Sequence, residues 1–384
     1  MTRRLRIDLR LRAPLCIARR PTAPGQPIET LAYISGTVLR GGLASAWLQG
    51  RRYEELTAAQ QDLFAAVFMG SSVRFGNCLP QISGAETVVV PATAWARKHA
   101  AEPWLADDGE GVQDQLVTLL SDSEPNPTLK PLDQPFSAYR DSAYTRLPLR
   151  KRLIARTAID PERGTARDQQ LYTFEVLETG QIFSGQIVGD NDAIVELEQG
   201  VLRRNQQLTL GQGRSRGMGS VTIEEVEERE AATDERATLR EQIEHFNTRL
   251  SGSDQQSEVL LPVTLESDLL LRDYYLLPSS DPQPAQTLGR YQPGAPASLQ
   301  IEWRGILQSA RWIGGWDELR RLPCSPQLAV QMGSVWTFRV GRAELDPALD
   351  WWIKVAQQGL GERCNEGFGQ IRLCHPFHLA EGSL

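Results

Sequence analysis

Two short stretches hold the residue types that could do chemistry: residues 211–221 read GQGRSRGMGSV and residues 361–371 read GERCNEGFGQI. Set 150 positions apart (367 − 217), Gly211 falls on Gly361, Gly217 on Gly367, Gly219 on Gly369 and Val221 on Ile371. One loop occurs twice. The first copy offers Gly213, Arg214, Ser215, Arg216, Gly217 and Gly219, and the second offers Arg363, Asn365, Gly367, Phe368 and Gly369. Guanidinium groups, backbone N–H donors and one exposed aromatic suit a single-stranded nucleic-acid backbone threaded past a loop, with a base on Phe368. A plainer reading stays open beside it, because Gly-x-Gly before a strand often only supplies positive φ and a bulge.

Context argues against a nucleotide fold. There the glycines follow a strand and open a helix, which presents its N-terminus to phosphate. Here they precede a strand in both copies, no GK[ST] follows, and no acidic residue stands where a ribose hydroxyl would want one.

The net charge of −7 argues against a generic nucleic-acid binder, but the charge is unevenly spread. Arginines crowd the start (Arg3, Arg4, Arg6, Arg10, Arg12, Arg19, Arg20) and the segment holding Arg146, Arg150, Lys151, Arg152 and Arg156. Acidic residues gather in 102–124 and 224–244. A basic face on an acidic protein would take phosphate as its partner. Only four of the 41 basic residues are lysine, a bias that GC-rich coding sequence also produces. The five cysteines are scattered without a CxxC, so neither a disulfide framework nor a zinc site is indicated, and a reducing cytoplasm is expected. No apolar run approaches a membrane span.

The elements that must position the loops are legible from periodicity. Leu5, Ile7, Leu9 and Leu11 alternate with charged residues as a half-buried strand does. Ser35 can cap a helix presenting Leu39, Leu43 and Ala46 or Trp47, in which Gly36, Gly41 and Gly42 suggest close backbone approach. Thr57 and Gln60 have capping-box spacing before Leu63, Phe64, Val67 and Phe68, with a stop at Gly70. Residues 92–145 read as an insertion with one short helix at VQDQLVTLL. Tyr172, Phe174 and Val176, then ETGQ, then Phe183, Gly185 and Ile187 read as a hairpin. AIVELEQGVLRR reads as a helix, LTLG and SVTIEEV as strands, and 226–250, with Leu239, Ile243, Phe246 and Leu250, as an amphipathic connector. The second half repeats the order: strand VLLPVTL, strands in LQIEWRGILQSA and AVQMGSVWTFRV, and a helix over PALDWWIKVAQQGL with Leu349, Trp352, Ile353 and Ala356 inward. Each half ends in helix, glycine loop, strand. That order predicts an α+β protein of tandem ferredoxin-like βαββαβ domains, with boundaries at 1–228, 229–254 for the connector, and 255–384.

These residues resemble a known family. ISGTVLRGGLA is similar to the IPGSSLRGALA-type motif opening the first helix of RAMP-superfamily CRISPR-associated proteins, with Ser35, Gly36, Leu39, Arg40 and Gly41 matching and Ser35 where proline is usual. RTAIDPERGTARDQQLYTFEVLETGQIFSG resembles their hairpin region at Arg156, Asp160, Gly164 and Gly180. Both glycine loops resemble theirs, and GWDELRRLPCSPQLAVQMGSVWTFRV resembles the second domain of large members, above all the two-domain RAMP subunit of type III-D effector complexes that caps the guide 5′ end.

The resemblance implies RRM-like domains and a guide (CRISPR) RNA gripped by the glycine loops. The implied contacts run through Ser35, Gly36, Thr37 and Arg40 and the basic residues Arg150, Lys151, Arg152 and Arg156. The implied protein partners are the large polymerase-like subunit and the backbone RAMP subunits of a type III complex, with no cofactor and no metal. Relatives that cut target RNA carry an aspartate between first strand and first helix. The corresponding ARRPTAPGQPIET has only Glu29. Guide-processing relatives use a histidine near the first helix. Here His99, His245, His375 and His378 all lie elsewhere, with Tyr33 the one nearby side chain not excluded. A noncatalytic RNA-binding subunit is the leading expectation, with an endoribonuclease and a purely structural adaptor as alternatives.

Overall fold

The computed structural model describes residues 2–19, 27–98, 104, 111–121, 123–124, 126–141, 143–159, 166–230, 235–251, 257–317 and 322–380. The chain divides into two compact units. Unit 1 comprises Met1–Ser83, Pro148–Ala231 and Asn365–Gly367, and unit 2 comprises Gly84–Leu147, Ala232–Cys364 and Phe368–Leu384.

In unit 1, β1 (Thr2–Leu11) is followed by α1 (Gly36–Leu48), α2 (Ala58–Phe64), β2 (Val73–Phe75) and β3 (Leu79–Gln81). After Pro148 come β4 (Lys151–Ile159), β5 (Ala166–Leu177), β6 (Ile182–Asp190), α3 (Asn191–Gly200), β7 (Gln207–Thr209) and β8 (Ser220–Glu228). The main sheet runs β7-β8-β1-β6-β2, with β3 also on β6, and every pair is antiparallel. Leu5, Ile7, Leu9 and Leu11 are at most 1% exposed, as their alternation requires. They share one core with Leu39 and Leu43 of α1 and Ile194 and Leu197 of α3.

Close approach explains two of the α1 glycines. A Cβ on Gly36 would lie 1.9 Å from Phe75 O and one on Gly42 would lie 2.1 Å from Leu210 Cδ2, whereas Gly41 faces open space. Ser35 caps the helix, its Oγ accepting from Val38 N at 3.4 Å. The Thr57–Gln60 capping box closes in both directions, at 3.4 and 3.1 Å. Phe64, Val67 and Phe68 then turn inward at i, i+3, i+4, a stripe that leaves Leu63 exposed.

The hairpin expected across ETGQ does not form. β5 pairs instead with β4, from Leu177 opposite Lys151 to Ala166 opposite Ile159, while β6 pairs with β1. Leu177 exchanges backbone hydrogen bonds with Leu15 at 2.8 and 3.0 Å, and Gly180, at φ 83°, donates to Leu11 O at 2.8 Å. The turn therefore hands the chain from a two-stranded ribbon to the main sheet. Period-two patterns mark strands but do not name their partners.

Unit 2 contains α4 (Glu235–Ser251), β9 (Glu258–Leu265), β10 (Gln300–Ile301), β11 (Val335–Gly341), α5 (Leu345–Gln358), β12 (Ile371–Leu373) and the short α6 (Pro376–Leu379). Its main sheet is antiparallel in the order β10-β11-β9-β12. Two segments read as single strands are broken: of LQIEWRGILQSA, Gln300–Ile301 pair with β11 and Leu307 bridges its Val335 after a 3-10 turn at Trp303–Gly305, and Gln327–Val330 pairs with Ala310–Ile313 before Gly333, at φ 88°, turns the chain into β11. α5 buries Leu345, Ala348, Leu349, Trp351, Trp352 and Val355. Leu349 and Trp352 point inward as expected and Ala356, partly buried, packs against the same core, while Ile353 yields to Trp351 and Val355. Residues Gly84–Leu147 interrupt unit 1 in sequence and belong to unit 2, with the helix Gln115–Leu120, several short strands, and a core of Val88, Ala94, Trp104 and Tyr144 against Phe377.

Two buried polar clusters tie unit 2 together. Asp268, after β9, accepts from Met332 N at 3.0 Å and from Arg311 Nε at 2.9 Å, with Arg311 Nη2 on the same carboxylate oxygen. Asp114 caps its helix through Leu116 N at 3.1 Å and meets His378 Nδ1 at 2.8 Å, and His378 Nε2 lies 3.1 Å from Thr264 Oγ1.

Next to it, His375 is fully buried, with Nδ1 accepting from Phe377 N at 3.2 Å. Burial, reinforced by the charges of Arg372 and His378, holds its pKa well below the ordinary imidazole value. Unfolded, this histidine takes a proton near pH 6.5 that the folded chain refuses, so its contribution is intact above that pH and lost as pH falls through it. His375→Asn keeps an acceptor for Phe377 N and removes the titration. The loss of stability between pH 7 and pH 5.5, measured by urea unfolding, should shrink by on the order of 1 kcal/mol in this variant, and an unchanged loss would refute the assignment.

Candidate nucleic-acid interface

The two glycine loops share one backbone. In the first, Gly219 N donates to Pro14 O at 2.9 Å, Leu210 N to Gly219 O at 2.8 Å and Gln212 N to Cys16 O at 2.8 Å. In the second, Gly369 N donates to Asp268 O at 2.9 Å, Leu360 N to Gly369 O at 2.8 Å and Glu362 N to Leu270 O at 2.9 Å. A single 3-10 turn stands at the same place in each, Arg214–Arg216 and Cys364–Glu366. Even the left-handed residues coincide, and Arg363, at φ 59°, takes the conformation that Gly213 has at 73°.

Four of the glycines answer to backbone demand. A Cβ on Gly211 or Gly361 would lie 2.3 Å from a carbonyl oxygen of the facing segment, and one on Gly219 or Gly369 would lie 2.1 or 1.8 Å from the loop's own Leu210 O or Leu360 O. The plainer reading of the glycines therefore accounts for these positions, and any binding chemistry must come from the tips.

The tips differ. Arg214, Ser215, Arg216 and Gly217 are exposed, and a Cβ on Gly217 would meet nothing within 4 Å. β4 brings Arg156 to them: its Nη2 donates to Arg216 O at 3.3 Å. Arg152, Ile154 and Arg156 alternate onto one face of β4, and Ile154 seats that face on Cys16, Phe174, Val176 and Met218. Of the neighbouring basic residues, Arg152 is exposed, Arg150 donates to Thr179 O at 3.3 Å, and Lys151 is engaged by Glu175 at 3.1 Å and by Thr30 O at 3.2 Å.

The tip of the second loop, Asn365–Gly367, belongs to unit 1. Asn365 Nδ2 donates to Gly70 O at 2.9 Å, Thr37 Oγ1 to Glu366 Oε2 at 3.2 Å, and Arg40 Nη2 lies 3.4 Å from Glu366 Oε1 while Nη1 donates to Phe68 O at 3.1 Å. A Cβ on Gly367 would lie 2.8 Å from Phe75 O and 3.2 Å from Gly36 Cα. Ser35, Gly36, Thr37 and Arg40 are thus brought together, around a carboxylate of the chain itself. Within unit 2, Arg363 Nη1 donates to Gln327 Oε1 at 3.1 Å and its guanidinium carbon lies 4.8 Å from the ring centre of Phe368. Phe368, read from sequence as an exposed base platform, is half-buried against Leu270, Ile313 and Ala329, because the strand after the loop draws it onto that small core.

Glu366 was not among the expected site residues, although the repeat sets it on Arg216 (366 − 216 = 150), where an inverted charge was there to be seen. Glu29 faces Arg19 at 3.7 Å, Tyr33, His375 and His378 are buried, and Asp160, Gly164 and His99 lie outside the described residues. Among the described residues no group of His, Cys, Asp and Glu has the arrangement to hold a metal ion, and no helix is long and apolar enough to cross a membrane.

The RAMP superfamily model matches residues 25–222. No curated protein matches the chain. Among solved structures it is similar, at TM-score 0.45 and 12% identity over 86% of each chain, to a chain of the Type III-B Cmr-beta bound to cognate target RNA and AMPPnP. It is also similar to one in Type III-B Cmr-beta bound to cognate target RNA (TM-score 0.34, 12% identity, 58% of this chain and 96% of that one). A third lies in the apo state of that assembly (TM-score 0.32, 11% identity, 57% and 96%).

Proposed function

The chain belongs to the RAMP superfamily, and from that premise we propose that it is a noncatalytic RNA-binding subunit of a type III CRISPR effector ribonucleoprotein. In this reading it holds the repeat-derived 5′ handle of the guide RNA and docks the large polymerase-like subunit and the backbone RAMP subunits. The strand order supports a ferredoxin-like fold in each of the two units. Taking each unit's strands in βαββαβ sequence, β8-β1-β6-β2 and β12-β9-β11-β10 both follow the antiparallel order 4-1-3-2.

Fold alone does not name a ligand. The observation that carries the reading is the first loop, whose exposed Arg214-Ser215-Arg216 tip stands beside Arg156 on a backbone that needs its glycines for geometry. Exposed guanidinium groups on a turn are suited to phosphate oxygens, and they allow an acidic protein a local site for a polyanion.

Expressed together with its partner subunits and purified, the protein should retain small RNA whose members share a repeat-derived 5′ tag. Sequencing the co-purified RNA is the check, and random fragments or no RNA would sink the proposal.

A further inference from the structure

The two glycine loops have one backbone and opposite charges at one position. Arg216 and Glu366 each close the 3-10 turn of their loop, and the three backbone hydrogen bonds that frame each loop, from Gly219, Leu210 and Gln212 and from Gly369, Leu360 and Glu362, correspond one to one. The difference therefore lies in the side chains and in what surrounds them.

Around Glu366 everything favours a carboxylate. It is held at the N-terminus of the 13-residue α1, where the helix dipole is positive, with the Thr37 hydroxyl on one oxygen and the Arg40 guanidinium by the other. Its side chain is only 12% exposed, and the glycines at 36 and 367 allow a backbone approach that any Cβ would block. An incoming phosphate would have to displace this carboxylate from both partners.

Around Arg216 the reverse holds. The turn is exposed, a second arginine stands two residues away, and Arg156 reaches the turn's own carbonyl. A helix N-terminus would repel this tip, whereas an anion would be drawn to it.

We propose that the loops have divided their labour: the first alone grips RNA phosphate, and the second is an internal clamp whose Glu366 fills the α1 N-terminus and keeps RNA out of it. The inference rests on the RNA-binding reading given above and narrows it. Ser35, Gly36, Thr37 and Arg40 serve the clamp, and the RNA contact is moved to Arg214, Arg216 and Arg156.

The test uses the assembled complex, with affinity for tagged guide RNA measured at two salt concentrations and thermal unfolding run beside it. Arg214→Gln and Arg216→Gln should each weaken binding severalfold and reduce the salt slope by roughly 0.7, the value for one phosphate contact on a single strand, with the melting temperature unchanged. Glu366→Gln should lower the melting temperature and leave the salt slope where it was. A fall in slope for Arg40→Gln or Arg363→Gln equal to that for Arg216→Gln overturns the division, as does an Arg216→Gln complex with unaltered affinity and slope. A wild-type complex that holds no tagged RNA refutes instead the functional reading on which the division rests.

Discussion

Gly369→Ala should abolish accumulation of soluble, protease-resistant chain. The added Cβ would lie 1.8 Å from Leu360 O and 2.8 Å from Leu360 C, backbone atoms that cannot swing aside as a side-chain tip can. Relief means separating the two strands of the loop, which breaks the 2.8 Å bond from Leu360 N to Gly369 O and the 2.9 Å bond from Gly369 N to Asp268 O. An alanine at φ 70° adds its own cost of about 1 to 2 kcal/mol. The sum exceeds about 4 kcal/mol, a large part of the roughly 5 to 15 kcal/mol that holds a domain folded. Gly217→Ala is the control, because it carries the same left-handed strain at φ 75° but has no atom within 4 Å of the new methyl. It should cost only about 1 kcal/mol. Limited proteolysis and thermal unfolding of the two variants decide the matter, and melting temperatures that agree would show that close approach is not what these glycines serve.

Asp268→Ala should cost about 3 to 5 kcal/mol, the usual result of removing one partner from a buried ion pair. The Asp268 side chain is 4% exposed and that of Arg311 17%, so Arg311 would keep its charge inside unit 2 without the carboxylate that offsets it. Met332 N loses its acceptor in the same change. Asp268→Asn retains an oxygen for Met332 N and should cost less. The double variant Asp268→Ala/Arg311→Met, which removes the stranded charge, should recover part of the loss. Urea unfolding gives the answer: a single-variant loss under about 1 kcal/mol, or no recovery in the double variant, would mean that the pair is ornamental.

Much of this architecture could be read from local pattern, because local pattern is what positions such as Leu5, Ile7, Leu9 and Leu11 obey. The capping residues Ser35 and Thr57 and the inward Leu349 and Trp352 were legible for the same reason. Partner choice was not. The sequence of β5 and β6 fits a hairpin as well as it fits two different sheets, and only the contacts of Leu177 with Leu15 and of Gly180 with Leu11 decide between them. The site shows the same limit. Glycine and arginine positions announced two loops, but nothing local says that Thr37 and Arg40 face Glu366 more than 300 residues later, or that Phe368 has a small core to enter. The repeat itself held one unused clue, the arginine of one copy standing where the other has glutamate.

The composition of unit 1 has a consequence for how the chain is made. β1 is translated long before its sheet neighbours: β6 begins at Ile182, the last three residues of the unit are Asn365–Gly367, and on the other side of β1 its neighbour β8 begins only at Ser220. At about 5 to 20 residues per second, the apolar face of β1 waits on the order of ten to forty seconds for that neighbour. The clamp at α1 closes later still, once Asn365–Gly367 have been translated. In unit 2, Leu265 waits about half as long for Ile371, whereas the cluster of Val88, Ala94 and Tyr144 must wait for Phe377. The nascent protein therefore carries an unpaired leucine-rich strand until β6 has been made, a span in which a holdase or an early-arriving subunit has most to protect.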